Sequence, residues 1–272
     1  MSIISLLVTE EKDKQPQALS QHLRQLLLPF GGCENYFDGG RVIFLLDLLL
    51  PADNETGVNF DLRLAYALAE LARSCGSPKI SFAVRVEEGF QMEQVLAASG
   101  YDQLRQLEQV DFLDLSQAET TSMPTDTALA LDEARIYRPL PEAGLIISLA
   151  KLRAAEDNLF GGAMNNLALC SPDVAGLEAE QRNRALVDIY SIMAPDLTVV
   201  DGWRGDSGFQ QHRGDFLLAA ADAAAADAVL AALSGIDLDQ LEQVQLSAQY
   251  GLGEGDPGNI HLCGDDISDL IS

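Results

Sequence analysis

The sequence predicts an α/β protein with a mixed, mostly parallel sheet flanked by helices, arranged as two lobes that share or abut one sheet. Three observations carry this. Apolar runs of strand length, several of them unbroken enough for burial on both faces, recur along the chain. Segments with leucine and alanine at helical spacing alternate with those runs, and no self-similarity with a period of about 20–50 residues points to a solenoid or propeller. The chain has 272 residues, 47% hydrophobic and 22% charged, a composition that can sustain a sizeable core and excludes extended disorder.

In chain order, residues 15–30 (QPQALSQHLRQLLLPF) space their leucines for a helix that stops at Pro29 and the glycines after it. Residues 40–50 (GRVIFLLDLLL) read as a strand buried on both faces, within which Asp47 needs a partner. Apolar positions at 62, 64, 65, 68, 69, 71 and 72 predict a helix ending at Gly76, and KISFAVRV at 79–86 predicts the next strand. A helical stretch at 91–108, broken near Gly100, leads to a short strand at 110–115. Residues 116–126 are polar and rich in turn formers, whereas 127–131 and 144–150 again read as strands. Residues 178–193 predict a helix that ends before Ala194-Pro195, followed by buried strands at 197–200 and 215–220. Asp222 caps an alanine-rich helix closed by Gly235, a helix is expected at 239–250, and a last strand at 259–263. The implied organisation is an N-terminal helical extension, 1–39, and a single α/β domain, 40–272, with a lobe boundary near 116–126.

Charge narrows the partners. With 42 acidic and 17 basic side chains the formal net charge is −25, a field that repels nucleic acid and anionic membrane surfaces and suits a basic protein partner or a small-molecule ligand. The apolar start lacks a basic n-region, and the apolar stretches are too short to cross a bilayer, so a soluble, cytoplasmic protein is expected. Cys33, Cys75, Cys170 and Cys263 stand far apart without a C-x-x-C pair, which suits reduced, buried thiols.

Three constellations could carry chemistry. The first is the strand at 145–150 followed by Lys151, the pair Gly161-Gly162, and Asn165-Asn166: a lysine beyond a strand and a glycine bend with free N–H groups could hold an anion. The alternative is that the glycines form a turn and Lys151 caps carbonyls or pairs with an Asp. The second is Asp201-Gly202-Trp203-Arg204-Gly205-Asp206 after a buried strand, where Trp203 either stacks on a flat ligand or covers core. Asp201 there either faces the crevice or serves as a turn residue or helix cap. The third is Asp227, a carboxylate on an otherwise apolar helix that must reach solvent, a donor or a ligand; Asp222 reads as an N-cap. His22, His212 and His261 form no ligand spacing, so no metal site is expected, and motifs for nucleophilic or redox catalysis are missing.

These segments, in this order, resemble the family called Domain of Unknown Function 362 from about residue 40 to residue 264. LIISLAKL with its lysine, GGAMNN, the run ALVDIYSIMAPDLTVVDG, the aspartate-bearing alanine helix and a closing Gly-Leu-Gly carry the resemblance. It implies an α/β fold with a crevice lined by these segments. Some members of the family add a ferredoxin-type iron–sulfur segment, which is not found here, so no iron–sulfur cluster is expected and any other cofactor is left unspecified. The family's Lys-x-Lys-Thr-His stretch reads KLRAAED here, with Ala154 and Ala155 where Thr and His are expected, and Asn165 stands where the family has lysine. If that His and Lys do acid–base work in the family, this chain has lost it while keeping the scaffold. Two functional readings follow. Either a small molecule binds a crevice lined by Lys151, Gly161, Gly162, Asn165, Asn166, Asp201, Trp203 and Asp227, or the chain is a non-catalytic divergent paralogue acting through protein–protein contacts.

Overall fold

A computed structural model describes residues 2–37, 40–154, 160–205 and 214–270; Ala155, Asp206 and His212 lie outside them. The strands are β1 (Ser2–Thr9), β2 (Arg41–Leu46), β3 (Lys79–Val84), β4 (Val110–Asp114), β5 (Thr120–Pro124), β6 (Glu133–Tyr137), β7 (Leu145–Lys151), β8 (Arg153–Ala154), β9 (Phe160–Gly161), β10 (Leu197–Asp201), β11 (Asp215–Ala220) and β12 (Ile260–Gly264). The α-helices are α1 (Pro16–Leu27), α2 (Cys33–Tyr36), α3 (Leu62–Ser74), α4 (Met92–Ala98), α5 (Ala179–Met193), α6 (Ala223–Ser234) and α7 (Glu242–Gln249).

Eight strands form one sheet in the order β12-β1-β11-β10-β7-β2-β3-β4. Only β11 runs against its neighbours β1 and β10; every other adjacent pair is parallel, so the sheet is mixed and mostly parallel. Alternation along each strand divides the core in two. Val42, Phe44, Leu46, Ile147, Leu149 and Val199 face α1 and α3, whereas Ile43, Leu45, Ile146, Ala150, Val200 and Leu218 face α5 and α6. On the first face, Phe44 stacks on Phe82 and Phe82 on Phe112, with ring centroids 5.2 and 5.5 Å apart, which fixes the register of β2, β3 and β4.

Local chemistry sets the helix ends. Asp61 accepts from the backbone N–H of Arg63 to start α3, and Asp222, the cap expected from sequence, accepts from that of Ala225 to start α6. α6 is buried almost all round; its alanines let it lie close to β11 and α7. No helix among the described residues is long and apolar enough to cross a membrane.

Three expectations differ from the structure. The first 39 residues are not an extension of the sheet domain: β1 lies inside the sheet, between β11 and β12, and α1 packs on α3. The polar stretch near 116–126 contains β5, which pairs with β6 in a two-stranded hairpin. Residues 127–131 form no strand. Their donors are taken by one carboxylate: Asp188 of α5, fully buried, accepts from the Thr127 hydroxyl (2.5 Å) and from the N–H groups of Leu129, Ala130 and Leu131 (2.8, 2.7 and 2.9 Å). With three of its backbone donors bound there, the segment cannot offer a full ladder to a strand partner.

Candidate functional site

Parallel pairing of β7 with β10 sets Lys151 directly beside Asp201. Lys151 is the last residue of β7 rather than the first of the loop, and it is only 1% exposed. Its ammonium donates to Asp201 Oδ2 at 2.9 Å and to the carbonyl of Trp203 at 2.6 Å. Asp201, 0% exposed, also accepts the N–H of Asp61 on Oδ2 (2.8 Å) and of Trp203 on Oδ1 (2.8 Å). Burial pushes the Asp201 carboxyl up, and the Lys151 charge opposes that push. The lysine therefore both caps a carbonyl and pairs with an Asp.

Around this pair the polar groups interlock. Asp47 accepts the backbone N–H of Lys151 (3.1 Å) and two bonds from Arg153 Nη2 (2.9 and 2.8 Å), while Arg153 Nη1 reaches the carbonyl of Val58 (2.7 Å). Asp47 thus finds its partner in an arginine two residues beyond the lysine. Trp203 is buried, with its indole N–H donated to the Thr9 hydroxyl at 2.8 Å and Lys14 and Arg63 over its ring at 5.2 and 5.3 Å. It covers core.

A second group forms elsewhere. Asp227, 0% exposed, accepts the N–H groups of Ala163 (2.6 Å) and Met164 (3.1 Å), so the carboxylate on α6 holds the bend that follows Gly161 and Gly162. Burial pushes its carboxyl up to about 7, against the pull of those two donors. Asn166, buried, gives its amide to the carbonyls of Leu45 and Leu149 and to the Ser148 hydroxyl (3.1, 3.3 and 2.8 Å). Asn165 accepts from Arg182 at 2.7 Å. Gly161 pairs with Arg153 across β8 and β9, where a Cβ would come within 3.0 Å of the Arg153 Cβ.

The two groups lie on opposite faces of the sheet. Lys151 and Asp201 continue the alternation of Leu149 and Val199 and face α3; Asp227, Met164 and Asn166 sit with Ala150 and Ser148 on the face covered by α5 and α6. The structure brings the eight residues nominated from sequence together as two groups, not one. A groove of about 500 Å³ opens between α1 and α3, lined by Leu19, Leu62, Arg63, Tyr66 and Glu70 among others; none of the eight lines it.

Sequence reasoning passed over Asp188, although a lone Asp in the apolar run ALVDIYSIM carries the same signal that singled out Asp227. It also passed over Cys33, Glu34 and Cys75, whose donor atoms converge and could hold a metal; two cysteines so far apart in the chain give no local pattern.

The fold and these contacts can be set beside known proteins. A thylakoid-associated protein of Synechocystis sp. is 26% identical over 258 residues, covering 87% of this chain and 75% of the relative. Among solved structures, the lactate racemase apoprotein of Thermoanaerobacterium thermosaccharolyticum matches with a TM-score of 0.45 at 14% identity over 74% of this chain. A protein of Thermotoga maritima matches with 0.41 at 13% identity over 69%. The chain spans 50% of the length of each of these two structures. The profile of one family matches residues 45–232, which take in both polar groups and most of the sheet, and by that match the chain belongs to the family described as Domain of unknown function (DUF362).

Proposed function

We propose that this chain is a non-catalytic, divergent member of its family, in which the polar groups at the strand ends have become framework and which works through contacts with a basic protein partner. The observation that carries this reading is the state of Lys151. It is 1% exposed, and its ammonium is committed to Asp201 and to a carbonyl, leaving no free cation to meet a ligand among the described residues at these strand ends. A catalytic or anion-binding lysine needs access to its substrate. The net charge of −25 supports a basic partner through complementary fields. The Synechocystis relative is named for association with thylakoids. An acidic chain without a membrane-crossing helix among its described residues would reach such a surface more readily through a protein than through anionic lipid.

The test has two arms. A thermal-shift panel of nucleotides, sugar phosphates, carboxylates and amino acids at millimolar concentration is expected to leave Tm unchanged within about a degree. A ligand at a hundredfold excess over Kd adds about 2.7 kcal/mol and moves Tm by roughly 5 °C in a chain of this size. Cross-linking with mass spectrometry in a native extract is expected to yield a basic protein whose cross-links weaken with salt. A metabolite that raises Tm and protects amides at 148–152 and 198–203 from exchange would restore the small-molecule reading.

A further inference from the structure

Two thiols and a carboxylate meet on the α1/α3 face, apart from both polar groups at the strand ends. The sulfurs of Cys33 and Cys75 and a carboxylate oxygen of Glu34 all lie within 4.8 Å of one another. Their approach is built by the backbone. Gly31 and Gly32 take φ of +96° and +83°, left-handed values that turn the chain so that Cys33 opens α2, and Cys75 is the residue that ends α3. Cys33 is buried, Cys75 half-buried and Glu34 exposed, so the cluster is walled on the protein side and open to solvent on the other.

We propose that Cys33, Cys75 and Glu34 bind a thiophilic divalent cation of the zinc class, with water in the fourth position. Tetrahedral zinc with Zn–S of about 2.3 Å and Zn–O of about 2.0–2.2 Å separates its ligand atoms by about 3.5–3.8 Å, inside the span these atoms already occupy. Charge closes as well. Two thiolates and one carboxylate on a dication leave one negative charge, and Arg24 of α1 stands against it: its Nη1 donates to Cys33 Sγ at 3.0 Å and to Glu34 at 3.2 Å, and its Nη2 reaches the Ser74 hydroxyl at 3.3 Å. An outer partner so placed orients two ligands at once. Burial, with Glu34 and Cys75 alongside, pushes the Cys33 thiol up to about 12. Metal–sulfur bonds form through the thiolates, so binding is expected to weaken as pH falls. The bound ion would tie α1, the start of α2 and the end of α3 together.

The experiment uses the full chain, reduced with a phosphine and titrated with Co²⁺ as the probe. One Co²⁺ per chain is expected, with thiolate-to-cobalt charge transfer in the near ultraviolet, tetrahedral bands in the visible, and loss of the spectrum on adding Zn²⁺. Glu34→Gln should weaken binding about tenfold to a hundredfold, and Cys75→Ser and Cys33→Ser by more. Cys170→Ser and Cys263→Ser should change nothing. Absence of charge transfer at stoichiometric Co²⁺, or a band that survives in Cys75→Ser, overturns the assignment. Because Cys75 is half-buried at a helix end, that variant is expected to fold, and the charge-transfer band of the unmodified chain gives a readout that needs no variant.

Discussion

Replacing Lys151 with methionine separates a framework lysine from one kept for a ligand. Methionine fills most of the volume but leaves Asp201, 0% exposed, without its cation. Removing one partner of a buried pair costs about 3–5 kcal/mol because the other charge stays buried. Two remaining N–H donors, from Asp61 and Trp203, place this case near the lower end, and the Trp203 carbonyl loses its donor for about 1 kcal/mol more. The expected loss is about 4 kcal/mol, or roughly 7 °C in Tm for a chain of this length. Urea unfolding at 25 °C should show it as a shift in midpoint at unchanged slope. Adding Asp201→Asn should recover part of the loss, so that the double variant falls short of the sum of the singles by about 2 kcal/mol. A Lys151→Met cost under about 0.5 kcal/mol, or strict additivity, would refute the framework reading, since a lysine waiting for an anion can be removed without such a penalty.

Two further predictions rest on the other buried carboxylates. Asp227 has a folded pKa of about 7 against about 3.9 for an unfolded aspartate, so between those values the folded state keeps a proton that the unfolded state has lost, and stability falls as pH rises. The loss between pH 5 and pH 8 is about 3 kcal/mol, and Asp227→Asn should flatten that part of the curve in paired urea titrations; an unchanged slope would show that Asp227 does not titrate in this range. Asp188→Ala should cost about 3 kcal/mol and speed proteolysis within 127–131, because four donors lose one acceptor but those on the half-exposed loop regain water. A variant as stable and as protease-resistant as the parent would mean that the clamp contributes nothing.

Legibility followed the range of the interactions. β11 begins and ends where alternating turn signals and apolar residues place it, and α6 runs between Asp222 and Gly235 because both caps are local chemistry. The strand expected at 127–131 failed for the opposite reason: the residues have strand composition, but Asp188, distant in sequence, takes their donors. The sequence marks β1 only as an apolar start, because nothing near it announces partners that lie more than two hundred residues away. At the site, sequence placed Lys151 and Asp201 at strand ends and Asp227 at a buried position. It joined them into one crevice because strand ends were counted without their faces. One residue of alternation sends Ser148 and Ala150 to one side of the sheet and Leu149 and Lys151 to the other, and that decides which carboxylate each polar group can meet.

The place of β1 also has a consequence for how the molecule is made. Its partners are Asp215–Ala220 on one side and Ile260–Gly264 on the other, so a ribosome releases the first strand long before either neighbour exists. Until then SIISLLVT must emerge as an unpaired apolar segment, exposed to mispairing or to capture by a nascent-chain chaperone, while β2, β3 and β4 can already zip together with α3. Assembly should proceed from the β4 side of the sheet toward the β12 side, and a circular permutant that moves β1 to follow β12 should shorten the delay without altering the finished architecture.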